Sequence, residues 1–265
     1  MSEVKLEITD GVAVVTMANP PANLFSSDLA AGLLDAVTQA AGAGVRAMVL
    51  RSDGALFSGG ADVNMFADTS PQDARAMFGE AFKLIAAIES APFPVIAAVH
   101  GLCLAAGLEL ALACDLIIAA EGTQFAQVEA KIGATTFLGG VYRLAQRAGT
   151  ARAFEITFSA DFFDAAVFER WNIVNWVVAA DELDSAALAQ ARRLAAGPTA
   201  AHAITKKLVH HAVDHGVRQA DRYLIDTATP LFASRDMQHA VGLLLTHGAR
   251  DFIANYHTLV NFEGK

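Results

Sequence analysis

Two glutamates stand in stretches almost free of other charge: Glu109 in "HGLCLAAGLELALACD" (100–115) and Glu129 in "FAQVEAKIG" (125–133). Burying a carboxylate without a partner is costly, so each is either a salt-bridged structural group or a group kept for chemistry. Two carboxyl groups close together in a dry pocket push one pKa up, leaving a protonated acid and an ionised base at neutral pH. That division of labour suits the addition of water across a double bond.

Two unusually bare stretches accompany the glutamates. "FSGGADVNMF" (57–66) places Gly59, Gly60 and Ala61 directly before Asp62, and the segment leading to Glu109 runs through Gly101, Ala105, Ala106 and Gly107. Neither contains G-x-x-x-x-G-K-[ST] or G-x-G-x-x-G, so no nucleotide-binding loop is indicated. Ser58 lacks the glycine two places before it that a nucleophile elbow requires, because Leu56 stands there. What remains is either an ordinary tight turn or backbone N–H groups aimed at an anionic oxygen. The second stretch opens a helix, whose first N–H groups are unpaired and carry the positive end of the dipole. Paired donors of this kind are worth about 3–4 kcal/mol each when aimed at charge that develops in a transition state.

The elements that must position these groups follow from periodicity. Lys5 to Thr9 alternates and Val12 to Met17 is apolar, with Asp10-Gly11 between them as a hairpin turn. Ser26 or Ser27 caps a helix with an apolar stripe at Leu29, Leu33, Leu34 and Val37, ended by Gly42 or Gly44. Ala47 to Leu50 is a short buried strand. Ser70-Pro71-Gln72-Asp73 opens a helix to about Glu89, and Pro92 and Pro94 stop it before the strand Val95 to Val99. A helix from about Ala105 and a strand from Leu116 to Ala120 follow. Alternation of strand and helix implies parallel pairing and an α/β core. From about Ala145 the pattern is mostly helical, with one apolar stretch at Ile173 to Val178 and breaks at Gly197-Pro198 and Gly216. We therefore expect an α/β core over 1–195 and a C-terminal helical region over 196–265.

Composition excludes several classes. At 265 residues and 54% hydrophobic, the chain can bury about 70–75% of its unfolded surface in one main core. A net charge of −9 argues against nucleic acid as a partner. The start, Met1-Ser-Glu-Val-Lys-Leu-Glu, has no basic segment leading into an apolar one, which indicates a cytoplasmic protein. The apolar run from Ile96 to Ala120 is interrupted by His100, Glu109 and Asp115, so it indicates a buried strand, loop, helix and strand rather than a membrane span. Cys103 and Cys114 both fall inside that run and are expected to be small buried hydrophobes with no disulfide.

These segments taken in order resemble the crotonase superfamily, and within it the enoyl-CoA hydratases, over essentially the whole chain. The residues that carry the resemblance are "NPPAN" (19–23), "FSGGADV" (57–63), "HGLCLAAGLELALACD", "FAQVEAKIG" and "GGVYRL" (139–144). The family's hydratases carry two catalytic glutamates twenty positions apart, and here 129 − 109 = 20. The resemblance implies a crotonase-like ββα superhelix core with a C-terminal helical oligomerisation region that assembles trimers or hexamers. It implies an enoyl-CoA hydratase of the fatty-acid β-oxidation type, converting 2-enoyl-CoA thioesters to 3-hydroxyacyl-CoA without a metal or any cofactor beyond the CoA of the substrate. The N–H groups of Ala61 and Ala106 then hold the thioester oxygen. Glu109 helps deprotonate a water for attack at C3, and Glu129 delivers a proton to C2. Pro21, Ala22, Gly59, Asp62 and Val63 become candidates for CoA contact, and Gly107, Thr136 and Phe137 for the acyl pocket.

The chain departs from the family pattern at several places. Ala105-Ala106 stands where many hydratases have Gly-Gly, narrowing the acyl slot. Thr135-Thr136-Phe137 replaces the usual Ile-Pro-Gly, and a Phe beside the water site shortens acceptable chains or impairs hydration. Asn172-Ile173-Val174 replaces Gly-Leu-Val, and no lysine flanks Pro20-Pro21. The same scaffold supports isomerisation or hydrolysis of CoA esters, and also non-catalytic CoA-binding, scaffold or RNA-binding paralogues. The remaining signals have plain readings. His210, His211 and His215 are expected on a solvated helix face rather than around a metal. Trp171 and Trp176 are expected in core or subunit packing. Lys206, Lys207, Arg192 and Arg193 are expected to be solvated.

Overall fold

The computed structural model describes residues 4–264, so the first three residues of the N-terminal reading lie outside the described residues. Strand β1 (Val4–Thr9) and strand β2 (Val12–Met17) pair antiparallel. Their two-residue turn holds Asp10 at φ 51° and Gly11 at φ 76°, the left-handed pair that matches the twist of the flanking strands. Helix α1 (Ser27–Gly42) starts where Ser26 Oγ accepts from the Leu29 amide at 3.0 Å, and β3 (Ala47–Ser52) then pairs parallel with β2. A single 3-10 turn at Val63–Met65 leads to α2 (Pro71–Ser90), capped by Ser70 with Pro71 in its first turn. The central strand β4 (Val95–Val99) is wholly buried.

Strand β5 (Leu102–Leu104), helix α3 (Ala106–Ala113), strand β6 (Leu116–Ala120) and strand β7 (Gln124–Ala126) follow in quick succession. After a 3-10 turn at Glu129–Ile132 come α4 (Gly140–Ala148), α5 (Thr150–Ser159), β8 (Phe163–Asp164), α6 (Ala165–Arg170), β9 (Trp176–Val178) and α7 (Leu183–Ala195). The chain finishes with α8 (Thr199–His215), α9 (Val217–Ala228) and α10 (Arg235–Leu259), the last broken at Gly248.

The main sheet runs β1-β2-β3-β4-β6-β9 and is parallel after its first hairpin. Alternate strand residues supply two separate cores. Val15, Met48, Leu50, Ala97 and Ile117 face α1, α2 and α3, whereas Ala47, Val49, Ile96, Ala98 and Ile118 face Leu183, Ala187 and Ala191 of α7. Burial on both faces explains why these strands read as continuous apolar runs.

A second sheet, β5-β7-β8, went unseen in the sequence because its strands are only two or three residues long. It controls the site. Ser58 bridges Cys103 in parallel fashion: the Ser58 amide donates to Leu102 O and the Leu104 amide donates to Ser58 O, both at 3.0 Å. The glycine stretch is thereby laid alongside the segment that opens α3.

The surroundings of Lys206 correct the sequence reading, and those of other residues singled out there complete it. Lys206, expected to be solvated, has only 8% of its side chain exposed and donates to Asp115 Oδ2 and Ile88 O, both at 2.8 Å, tying α8 to the core. Trp171 packs with Phe163 and Phe168 under Arg152, but Trp176 is 40% exposed. His211 stacks on His215 and Tyr223, and no metal-holding group of three ligands occurs among the described residues. Both cysteines are buried and free. Among the described residues, no helix is long and apolar enough to cross a membrane.

Candidate active site

Glu109 lies in the first turn of α3 and is 2% exposed; Glu129 opens the 3-10 turn after β7 and is 9% exposed. Both line one largely apolar cavity of about 160 Å³. Glu109 Oε1 accepts from the amides of Leu138 (2.8 Å) and Gly140 (2.7 Å), which leaves Oε2 for a ligand. Burial pushes Glu109 up to about 7, and the charge of Glu129 adds to the rise; the Gly140 and Leu138 amides and Arg143 oppose it. Burial also raises Glu129. Gln127, with its NH2 turned toward the carboxylate, donates to Glu129 Oε1 at 2.9 Å and Oε2 at 3.1 Å.

The two bare stretches meet at this cavity, and Ala61, Ala105 and Ala106 all line it. Among the described residues, neither the Ala61 nor the Ala106 amide has an acceptor, although their neighbours are paired: Gly59 N to Ala22 O (2.8 Å), Asp62 N to Phe25 O (3.0 Å) and Ala105 N to Ala126 O (2.9 Å). Ala106 is the first residue of α3, so its N–H belongs to the positive end of that helix. Close approach explains the missing side chains. A Cβ on Gly60, whose φ is 102°, would lie 3.1 Å from Ala105 Cβ, and one on Gly107 would lie 2.4 Å from Ser58 Cβ. Ala105 itself sits at φ 46°, ψ −121°, a strained conformation for a residue with a Cβ.

Not every expected residue reaches the cavity. Gly59, Ala61, Val63, Ala106, Glu109, Glu129 and Phe137 line it. Gly107 does not; it is the packing contact with Ser58. Thr136 does not either, because its Oγ1 accepts from the Val141 amide at 3.1 Å at the start of α4. Pro21 is exposed and Ala22 half-buried on the loop that pairs with Gly59. Asp62 Oδ1 caps the following 3-10 turn by accepting from Asn64 N (3.0 Å) and Nδ2 (2.7 Å). Asn23 holds that loop in place: its Nδ2 donates to Asp53 O (2.8 Å) and Leu56 O (3.0 Å), and its backbone O accepts from Ser58 Oγ (2.8 Å).

Sequence reasoning missed Gln127, Arg143 and the two amides that hold Glu109. Arg143 Nε pairs with Glu89 Oε1 (2.7 Å) while Nη1 donates to Leu138 O (2.8 Å), so it fixes the turn whose amides grip Glu109. The available signals were a lone Gln between apolar residues in "FAQVEAKIG" and an Arg in an otherwise apolar helix start at "GGVYRL".

Comparison with known proteins shows what the whole chain is similar to. The family profile described as enoyl-CoA hydratase/isomerase matches residues 7–244. A probable enoyl-CoA hydratase of Bacillus subtilis is 37% identical over 163 residues, which is 61% of this chain and 63% of that protein. The crotonyl-CoA hydratase of Syntrophomonas wolfei is 30% identical over 255 residues, 94% of this chain and 97% of that protein. A solved enoyl-CoA hydratase structure from Mycobacterium smegmatis has a TM-score of 0.87 at 29% identity, covering 92% of this chain and 96% of that one.

Proposed function

We infer the activity from a plain premise: the chain belongs to the enoyl-CoA hydratase/isomerase family, and within it acts as an enoyl-CoA hydratase, adding water across the 2,3 double bond of 2-enoyl-CoA. The observation that carries this reading is the pairing of two buried carboxyl groups with two unpaired amides around one cavity. A single carboxylate moves one proton; two carboxyl groups at one cavity allow one to take a proton while the other gives one.

In the reaction as we assign it, the thioester oxygen accepts from the Ala61 and Ala106 amides. Glu109, whose ionised form is supported by the Leu138 and Gly140 amides, takes a proton from water as the water oxygen bonds to C3. The C2=C3 electron pair moves onto the thioester, and the two amides stabilise the enolate oxygen. Protonated Glu129 then gives its proton to C2. Return of the proton from Glu109 to Glu129 restores the starting state, so the water is consumed without residue and the product is a 3-hydroxyacyl-CoA. The steps call on no metal or added cofactor; activity should survive a chelator. The CoA moiety is assigned to the Pro21-Ala22 loop, Gly59, Asp62 and Val63, of which Gly59 and Val63 line the cavity.

We assign the protein to the cytoplasm and to a homotrimer or homohexamer formed through the C-terminal helices. Val217, Ile225, Leu245 and Ile253 of α9 and α10 are exposed in the single chain, a cost that contact between copies would remove. Light scattering of the purified protein measures the assembly directly.

The deciding experiment follows loss of the conjugated-thioester absorbance of crotonyl-CoA with the parent protein, Glu109→Gln and Glu129→Gln. Turnover by the parent and collapse in both variants is expected. A parent that leaves crotonyl-CoA intact but shifts the double bond of 3-enoyl-CoA would replace hydration with isomerisation.

A further inference from the structure

The cavity that holds the paired glutamates is small, and part of its wall is aromatic. Phe137 stacks on Phe78 of α2 with ring centroids 4.7 Å apart, and meets Phe66 edge-on at 5.9 Å. Met65, Met77 and Ile132 fill the lining around the three rings. Phe137 precedes a residue held at both its backbone groups: the Leu138 amide donates to Glu109 Oε1 and the Leu138 carbonyl accepts from Arg143 Nη1. The backbone that carries Phe137 is thus tied to the catalytic carboxylate itself and cannot withdraw without disturbing it. The ring itself is braced by its contacts with Phe78 and Phe66.

Size follows from volume. An apolar cavity of about 150 Å³ is filled by one benzene ring, and the space here is about 160 Å³. Resting on the hydratase reading for its thioester head, we propose that this protein is selective for short acyl groups, of about four to six carbons, and that Phe137, braced by Phe78 and Phe66, sets the limit. Each further methylene has to displace an aromatic ring whose backbone anchor is shared with Glu109. A single methylene misfit in an apolar pocket costs about 10- to 200-fold in kcat/KM, so the cut-off should be steep.

The test measures kcat/KM of the parent for 2-enoyl-CoA thioesters of four, six, eight and ten carbons, and repeats the series with Phe137→Ala and Phe78→Ala. In the parent, the ten-carbon substrate should fall at least about 100-fold below the four-carbon one. In Phe137→Ala the ratio of ten-carbon to four-carbon kcat/KM should rise at least about tenfold; Phe78→Ala, which removes the brace, supplies the same readout if Phe137→Ala does not fold. A parent that processes ten carbons as well as four overturns the proposal, as do variants that fold but leave the ratio unmoved. Calorimetric binding of the unreactive butyryl-CoA and decanoyl-CoA separates this inference from the reaction. If no 2-enoyl-CoA is hydrated, the hydratase reading fails; tighter binding of butyryl-CoA then still upholds the short compartment, and tighter binding of decanoyl-CoA overturns it.

Discussion

The surroundings of Glu109 and of Glu129 differ in what holds each carboxylate. Glu109 stands on an eight-residue α-helix inside the core and is gripped by two backbone amides at a single oxygen. Glu129 stands on a four-residue 3-10 turn and faces one side chain, Gln127. The first position is therefore set by the path of the main chain through the 138–140 turn, and the second by a side chain that a rotamer change would release. One carboxylate is held by main chain and the other by a side chain, a difference that fits the base and acid roles proposed for them.

The sharpest way to break this contrast is at the point where the two sides touch. A Cβ on Gly140 would lie 2.5 Å from the Gln127 side-chain amide and 2.8 Å from Glu109 Cγ. Gly140→Ala should lower kcat at least about 100-fold, because displacements of an ångström in a reacting group cost that much; steady-state kinetics would show a smaller loss if the turn yields freely.

Next in size is the stability that the Glu109 side gives up. Glu109 titrates near 7 in the folded protein, above its value of 4.5 when unfolded, so between these values the folded state binds more protons and stability is lost as pH rises. Glu109→Gln keeps an acceptor for both amides and removes the charge. It should be more stable than the parent by about 2–3 kcal/mol at pH 8, with the gain vanishing toward pH 4, as read from denaturant midpoints at the two pH values.

Arg143 braces only the Glu109 wall. Arg143→Met should reduce kcat about tenfold, with part recovered in Arg143→Lys. Losing the positive charge also raises Glu109 further, so the acid limb of the pH–kcat/KM profile should move upward. A loss of kcat with an unmoved limb would mean that the arginine serves stability alone.

The smallest effect belongs to the turn that starts α3. Ala105 holds φ 46° and ψ −121°, so Ala105→Gly should stabilise by about 0.5–1 kcal/mol, the relief of strain offset in part by the greater freedom of glycine in the unfolded chain. A melting curve with no rise would show that the surrounding bonds, and not the missing glycine, absorb the cost.

Much of the fold was legible residue by residue. Asp10-Gly11 announced its hairpin, Ser26 and Ser70 their helices, and the apolar runs at β3, β4 and β6 their burial. The α/β core and the family were legible too. Within the site, the glutamates and the bare stretches stood out because charge is rare in apolar sequence and side chains are rarely missing without cause. Thr136 and Gly107, expected in the acyl pocket, do not line the cavity; one meets the start of α4 and the other packs on Ser58. Lys206 looked like surface charge because its partner, Asp115, is 91 residues away.

The sequence by itself therefore determined the longer elements, the two glutamates and the bare stretches, since caps, turns and periodicity are written within a few neighbouring positions. Only the tertiary structure decided which elements meet. The Ser58–Cys103 bridge that brings Ala61 beside Ala106, the amides of 138 and 140 around Glu109, and the Phe66, Phe78 and Phe137 wall are all contacts between distant segments. Periodicity reports that a face is buried and is silent on what buries it, so the size and electrostatics of the cavity arise only when the segments are packed.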